Sequence, residues 1–105
     1  MEENYFNRLR DEFCSQQPAV EPGRMMSSPA ITYRGKVFAF FSRQRKMVFK
    51  LGKGFDPREY KNSLSVFNPF TQRPPMQAWF ELSYDEHEQW YFFAEMALQQ
   101  ITKEQ

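Results

Sequence analysis

The chain has 105 residues but only one cysteine, Cys14, one histidine, His87, and four glycines. A single cysteine excludes an intrachain disulfide, and no set of Cys and His residues has the spacing of a structural zinc site. Nucleophilic catalysis needs an activated Ser, Cys or Thr beside a positioned base. The lone His87 sits among Asp85, Glu86 and Glu88 at a helix start and is expected to be exposed. Cys14 lies next to an apolar stripe and reads as a small structural side chain rather than a reactive thiol. The Asp85, Glu86 and Glu88 carboxylates have a macrodipole explanation at a helix N-terminus, so no metal is expected. Gly52-Lys53-Gly54 lacks the length and the Lys-Ser or Lys-Thr ending of a P-loop and reads as a turn. No cofactor is implied, and the expectation is a non-enzymatic protein. No run approaches 18 apolar residues, and the first residues are acidic without a long apolar core. The expected setting is the cytoplasm, with no membrane partner.

Aromatic residues are abundant: 12 Phe, 5 Tyr and 2 Trp give a small chain the means to build one core. The reading is a single domain over 1–105. Tyr5, Phe6, Leu9 and Phe13 recur at helical spacing and predict a first helix over about 3–15. Pro18, Pro22 and Gly23 predict a loop over 16–23. From Arg24 to Leu51 the pattern changes to short β-prone runs, 24–26, 30–33, 37–41 and 47–51, joined by connections too short for parallel crossovers. This predicts an antiparallel meander. Asp56-Pro57-Arg58-Glu59 has the N-cap, N1 proline and capping-box order of a short helix over about 57–62. Val66 to Phe70 is apolar but closed by Pro69, and 78–82 returns to strand character. Ser83 and Glu86 repeat the capping-box spacing before Trp90, Phe93, Ala94, Ala97, Leu98 and Ile101, which share one face of a helix over about 84–102. The fold class is α+β, an antiparallel sheet packed against N-terminal and C-terminal helices.

Net charge is only +1, but it is unevenly spread. Residues 1–23 carry two basic and five acidic side chains, residues 24–61 carry ten basic and two acidic, and residues 62–105 carry two basic and six acidic. The centre is therefore at +8 between ends at −3 and −4. Such a centre either forms a positive face for phosphates or neutralises acidic helices within the fold. For nucleic-acid contact the candidates are Arg34, Lys36, Arg43, Arg45 and Lys46, at or near strand turns. Arg34 to Phe41 shares its basic-aromatic texture with the RNA-recognition signature, but Lys36 occupies the first aromatic position and the order of elements differs. Phe38, Phe40 and Phe41 cannot all enter one core layer on a regular strand, and helices over both sheet faces would bury them. Surplus aromatic surface at Phe67, Phe70, Trp79 and Phe80 is the candidate for a protein interface, including a homodimer. Arg73 reads either as a fork for an anion or as the partner of a helix acid.

Five separated blocks carry a family resemblance: Arg24-Met25-Met26 with Pro29-Ala30, Tyr33 to Ala39, Lys46 to Leu51, Phe67-Asn68-Pro69, and Arg73 to Trp79. Together they resemble the TfoX N-terminal domain family over about Phe13 to Ile101, with the MmcQ/YjbR group as the nearest alternative. Ser27 and Ser28 depart from the glycine more usual there. The resemblance implies an α+β domain in bacterial regulators of DNA-uptake competence, without established enzymatic chemistry. The MmcQ/YjbR group implies DNA binding.

Overall fold

A computed structural model describes residues 1–60, 64–67 and 76–103, with Met76 and Gln77 described by backbone alone. Helix α1 (Glu2–Gln16) leads into strands β1 (Val20–Met25), β2 (Ser28–Tyr33), β3 (Lys36–Phe41) and β4 (Met47–Lys50). Strands β5 (Ser65–Phe67) and β6 (Met76–Leu82) precede helix α2 (Trp90–Lys103). All pairings are antiparallel, and the sheet order is β1-β2-β3-β4-β6-β5. The first four strands form the expected meander; β6 then inserts between β4 and β5. The class is α+β.

Several boundaries differ from the sequence reading, each for a local reason. The loop expected over 16–23 becomes strand from Val20, because Pro22 and Gly23 lie on an edge strand, where a missing outward N–H costs no ladder bond. The strand expected over 24–26 ends at Met25, since Met26 has φ +57° and turns the chain. The Val66 to Phe70 run supplies strand β5, while Pro69 and Phe70 lie outside the described residues. The short helix is one 3-10 turn, Pro57–Glu59, capped as expected by Asp56, whose carboxylate accepts from the Arg58 amide at 3.0 Å; its expected end near Asn62 lies outside the described residues. The long helix begins at Trp90, not near 84. A 3-10 segment, Tyr84–Gln89, precedes it and breaks helical geometry at Glu86, φ −114° and ψ 33°. Ser83 makes no side-chain cap; its carbonyl instead accepts from the Glu86 amide at 3.1 Å and from Trp90 Nε1 at 3.1 Å. Asp85, Glu86 and Glu88 therefore stand outside the first turn of α2.

Both helices pack on one face of the sheet. Their stripes, Phe6, Leu9 and Phe13 on α1 and Trp90, Phe93, Ala97 and Ile101 on α2, meet Ile31, Phe41, Met47, Phe49, Phe80 and Leu82. Each ring fully buried here contributes about 1.5–3 kcal/mol. Strand alternation sends Ala30, Phe40 and Val48 to the other face, where they cluster with Phe67 against Met25, Val37 and Trp79. The expectation of helices on both faces is thus corrected, because α1 and α2 share one core. The three phenylalanines of β3 are divided by a bulge: Ile31 pairs with Ala39 and Thr32 with Val37, so Phe38 is the extra residue. That shift turns Phe38 toward the helices together with Ala39 and Phe41, leaving Phe40 alone on the far face.

Gly23 is required by a close approach. A Cβ there would stand 2.5 Å from Thr32 Cγ2, while Thr32 Oγ1 is held by donating to the Glu21 carbonyl at 3.0 Å. Gly23→Ala should lower stability by about 1–3 kcal/mol in urea denaturation. Adding Thr32→Ser removes the offending methyl, keeps the hydroxyl and should recover most of the loss; no recovery would refute the steric account. Trp90→Phe should cost about 1–3 kcal/mol by the same measurement, because it leaves the Ser83 carbonyl without its indole donor.

Candidate functional site

The catalytic candidates are held apart by the fold. His87 is half-buried rather than exposed, stacked on Tyr84 with centroids 4.5 Å apart and edge-on to Tyr5 at 4.9 Å, and Nδ1 lies 2.9 Å from the Tyr84 carbonyl. Cys14 is on the same helix as Tyr5 but nine residues on, about 13 Å at helical rise, so thiol and imidazole form no nucleophile–base pair. Burial pushes the Cys14 thiol up from its ordinary value, with Arg10 opposing more weakly. Among the described residues no group of Asp, Glu, His and Cys is placed to hold a metal, and no helix is long and apolar enough to cross a membrane.

The five cations proposed for nucleic acid do not converge. Arg34 and Lys36 are exposed at the β2–β3 turn, where Arg34 and Gly35 both take positive φ, +51° and +84°, the pattern of a two-residue type I′ hairpin. Arg43, Arg45 and Lys46 lie in the β3–β4 turn at the opposite end of β3, about 20 Å away along a six-residue strand. Each of these three is already engaged. Arg43 Nε donates to Ser27 Oγ at 3.2 Å, Arg45 Nη2 contacts Glu2 Oε1 at 3.3 Å while lying over the Phe41 ring, and Lys46 Nζ stands 3.6 Å from Glu81 Oε2. The Glu2 carboxyl is held below its ordinary value, chiefly by a backbone hydrogen bond and further by Arg45. Part of the central charge is thus neutralised within the fold.

The aromatic candidates also separate. Phe80, 2% exposed, belongs to the core under the helices, so it is not an interface residue. Phe67 is buried on the far face, Trp79 is half-buried beside it, and Phe70, like Arg73, lies outside the described residues.

What the far face does contain is a cavity of about 300 Å³ at the β1–β2 and β3–β4 turns. Met26, Phe40 and Phe67 supply its apolar wall; Ser28, Ser42, Gln44 and Arg43 supply its polar rim. The β3–β4 turn is built by Ser42, whose amide donates to the Lys46 carbonyl at 2.9 Å and whose carbonyl accepts from the Arg45 amide at 2.9 Å. Arg45 takes φ +64° to close it. The turn presents Arg43 to Ser27 of the neighbouring hairpin, where Arg24 Nη1 also reaches the Ser27 carbonyl at 3.4 Å. The sequence reading found Arg43 but missed Ser28, Ser42 and Gln44, because only pairing across β1, β2 and β3 brings the two turns together. No family model, curated protein or solved structure matches the chain.

Alkylation tests the reading of Cys14. A raised folded pKa means its contribution to stability is complete below the unfolded pKa and fades as pH rises through the folded value. At pH 8 iodoacetamide should therefore modify the native thiol several-fold more slowly than the unfolded one, since thiolate is the reactive form. Equal rates would show that the site does not protect it.

Proposed function

We propose that the protein is a non-enzymatic binding module of the TfoX N-terminal type, working through the sheet face that its helices leave free, with a protein as its partner. One observation carries this reading: the far face holds an apolar cluster and a cavity beside an exposed Met26, 62% accessible. The chemistry supports contact rather than turnover, because the thiol and imidazole are far apart and the engaged cations surround no reacting group. The test compares bound proteins recovered by the wild type and by a Met26→Asp, Gln44→Asp double variant, both shown to be folded by circular dichroism. A specific partner retained by the wild type should be lost by the variant, with at least a tenfold fall in affinity for the purified partner. Equal affinity would exclude this face.

A nucleic-acid contact is the second reading, favoured by Arg34 and Lys36, which are exposed at one turn and have no carboxylate partner among the described residues. On the first reading, labelled duplex and single-stranded oligonucleotides show no saturable anisotropy change even at low salt. Saturable binding that weakens with salt, and more so in Arg34→Ala, Lys36→Ala, would move the conclusion to nucleic acid.

A further inference from the structure

We propose that the far-face cavity binds a small carboxylic acid with an apolar body, its carboxylate held by Arg43 and the hydroxyls of Ser28 and Ser42. This goes beyond the proposed partner and does not depend on one. The volume, about 300 Å³, is at the lower end for small-molecule sites and suits a phenyl or short alkyl body rather than a nucleotide. The walls, Met26, Phe40 and Phe67, offer such a body rings and a thioether.

The rim selects the sign of the head group. Among the described residues Arg43 is the one charge in the lining, and none of them there is a carboxylate. Its guanidinium has five N–H donors in a fork, yet Nε and Nη2 both converge on one neutral acceptor, Ser27 Oγ. A carboxylate replaces that neutral acceptor with a charge-assisted, bidentate one. Arg24, on the Ser27 carbonyl, adds a second positive charge to the same turn.

The serines are the second, independent observation. Ser28 and Ser42 are 7% and 5% exposed, and both line the cavity. Ser42 Oγ accepts from the Lys46 amide at 3.4 Å, whereas the Ser28 hydroxyl has no hydrogen-bond partner among the described residues. Burying a hydroxyl away from any such partner is unfavourable, and an acid head in the cavity would satisfy it.

The experiment is a titration of the full chain followed by amide NMR shifts, with phenylacetate, 4-phenylbutyrate and octanoate, each against its neutral amide, and with 4-phenylbutylamine. At least one acid should give saturable shifts at Ser28, Gln44 and Phe67 and bind tenfold or more tightly than its amide, while the amine should give no saturable shift. Arg43→Gln should erase the preference for acid over amide while keeping the dispersed spectrum of a folded chain, and Arg43→Lys should restore part of it. No saturable shift with any acid, equal affinity for acid and amide, or shifts mapping elsewhere would overturn the proposal. Any of these would leave the protein-partner reading intact, since that is judged by the Met26 and Gln44 variant with the purified partner.

Discussion

The burial of Trp90 is the constraint on which the remaining packing depends. Its ring lies against Tyr5 of α1, Phe41 of β3 and Tyr84 of the preceding 3-10 segment, with centroids 5.7, 6.3 and 5.7 Å away. Its indole N–H ends on the Ser83 carbonyl, the first residue after β6. One side chain thus ties both helices to the sheet and sets where α2 starts. The ring cannot be buried and its N–H satisfied unless the chain turns tightly between Ser83 and Trp90. The chain between them runs as a 3-10 segment with a kink at Glu86.

Because one side chain gathers both helices, the sheet has two unlike faces. The helix side is filled by aromatic rings; the other holds a smaller cluster around Phe40, which is 1% exposed through contacts including Phe67 and Trp79 at 5.3 and 5.4 Å. The bulge at Phe38 makes this possible by giving the helix side two successive residues of β3. The proposed function rests on this asymmetry. A face without helices can offer a cavity between hairpin turns, and the hairpin turns bring Arg43, Ser42 and Ser28 to it.

The charge pattern shows how far linear sequence and surface field can diverge. A segment at +8 is folded here into a meander, so its cations alternate between the two ends of the strands instead of lining one groove. Arg45 meets Glu2 from the acidic start of the chain, and Lys46 meets Glu81 from its acidic last third. Partly exposed pairs of this kind contribute little to stability, but they consume charge that a phosphate would otherwise feel.

Much of the architecture was legible from residue order alone. Apolar spacing located α1 and the buried stripe of α2, alternation and short connections dictated antiparallel strands, and Asp56-Pro57 marked the 3-10 turn, because these are local consequences of backbone geometry and side-chain direction. Pro22 and Gly23 misled as loop signals, since their tolerance depends on lying at a sheet edge, which is a property of strand order. Ser83 misled as a cap, since its carbonyl was claimed by an indole seven residues on. The cavity was not legible: Met26, Ser28, Phe40, Arg43 and Phe67 come from separate strands and turns, and no periodicity links them. The sequence by itself determined most of the element types, much of the core composition and the absence of an intrachain disulfide. Only the tertiary structure decided which face the helices left, which cations were spent on carboxylates and which buried hydroxyl has no partner among the described residues, because those depend on long-range strand pairing.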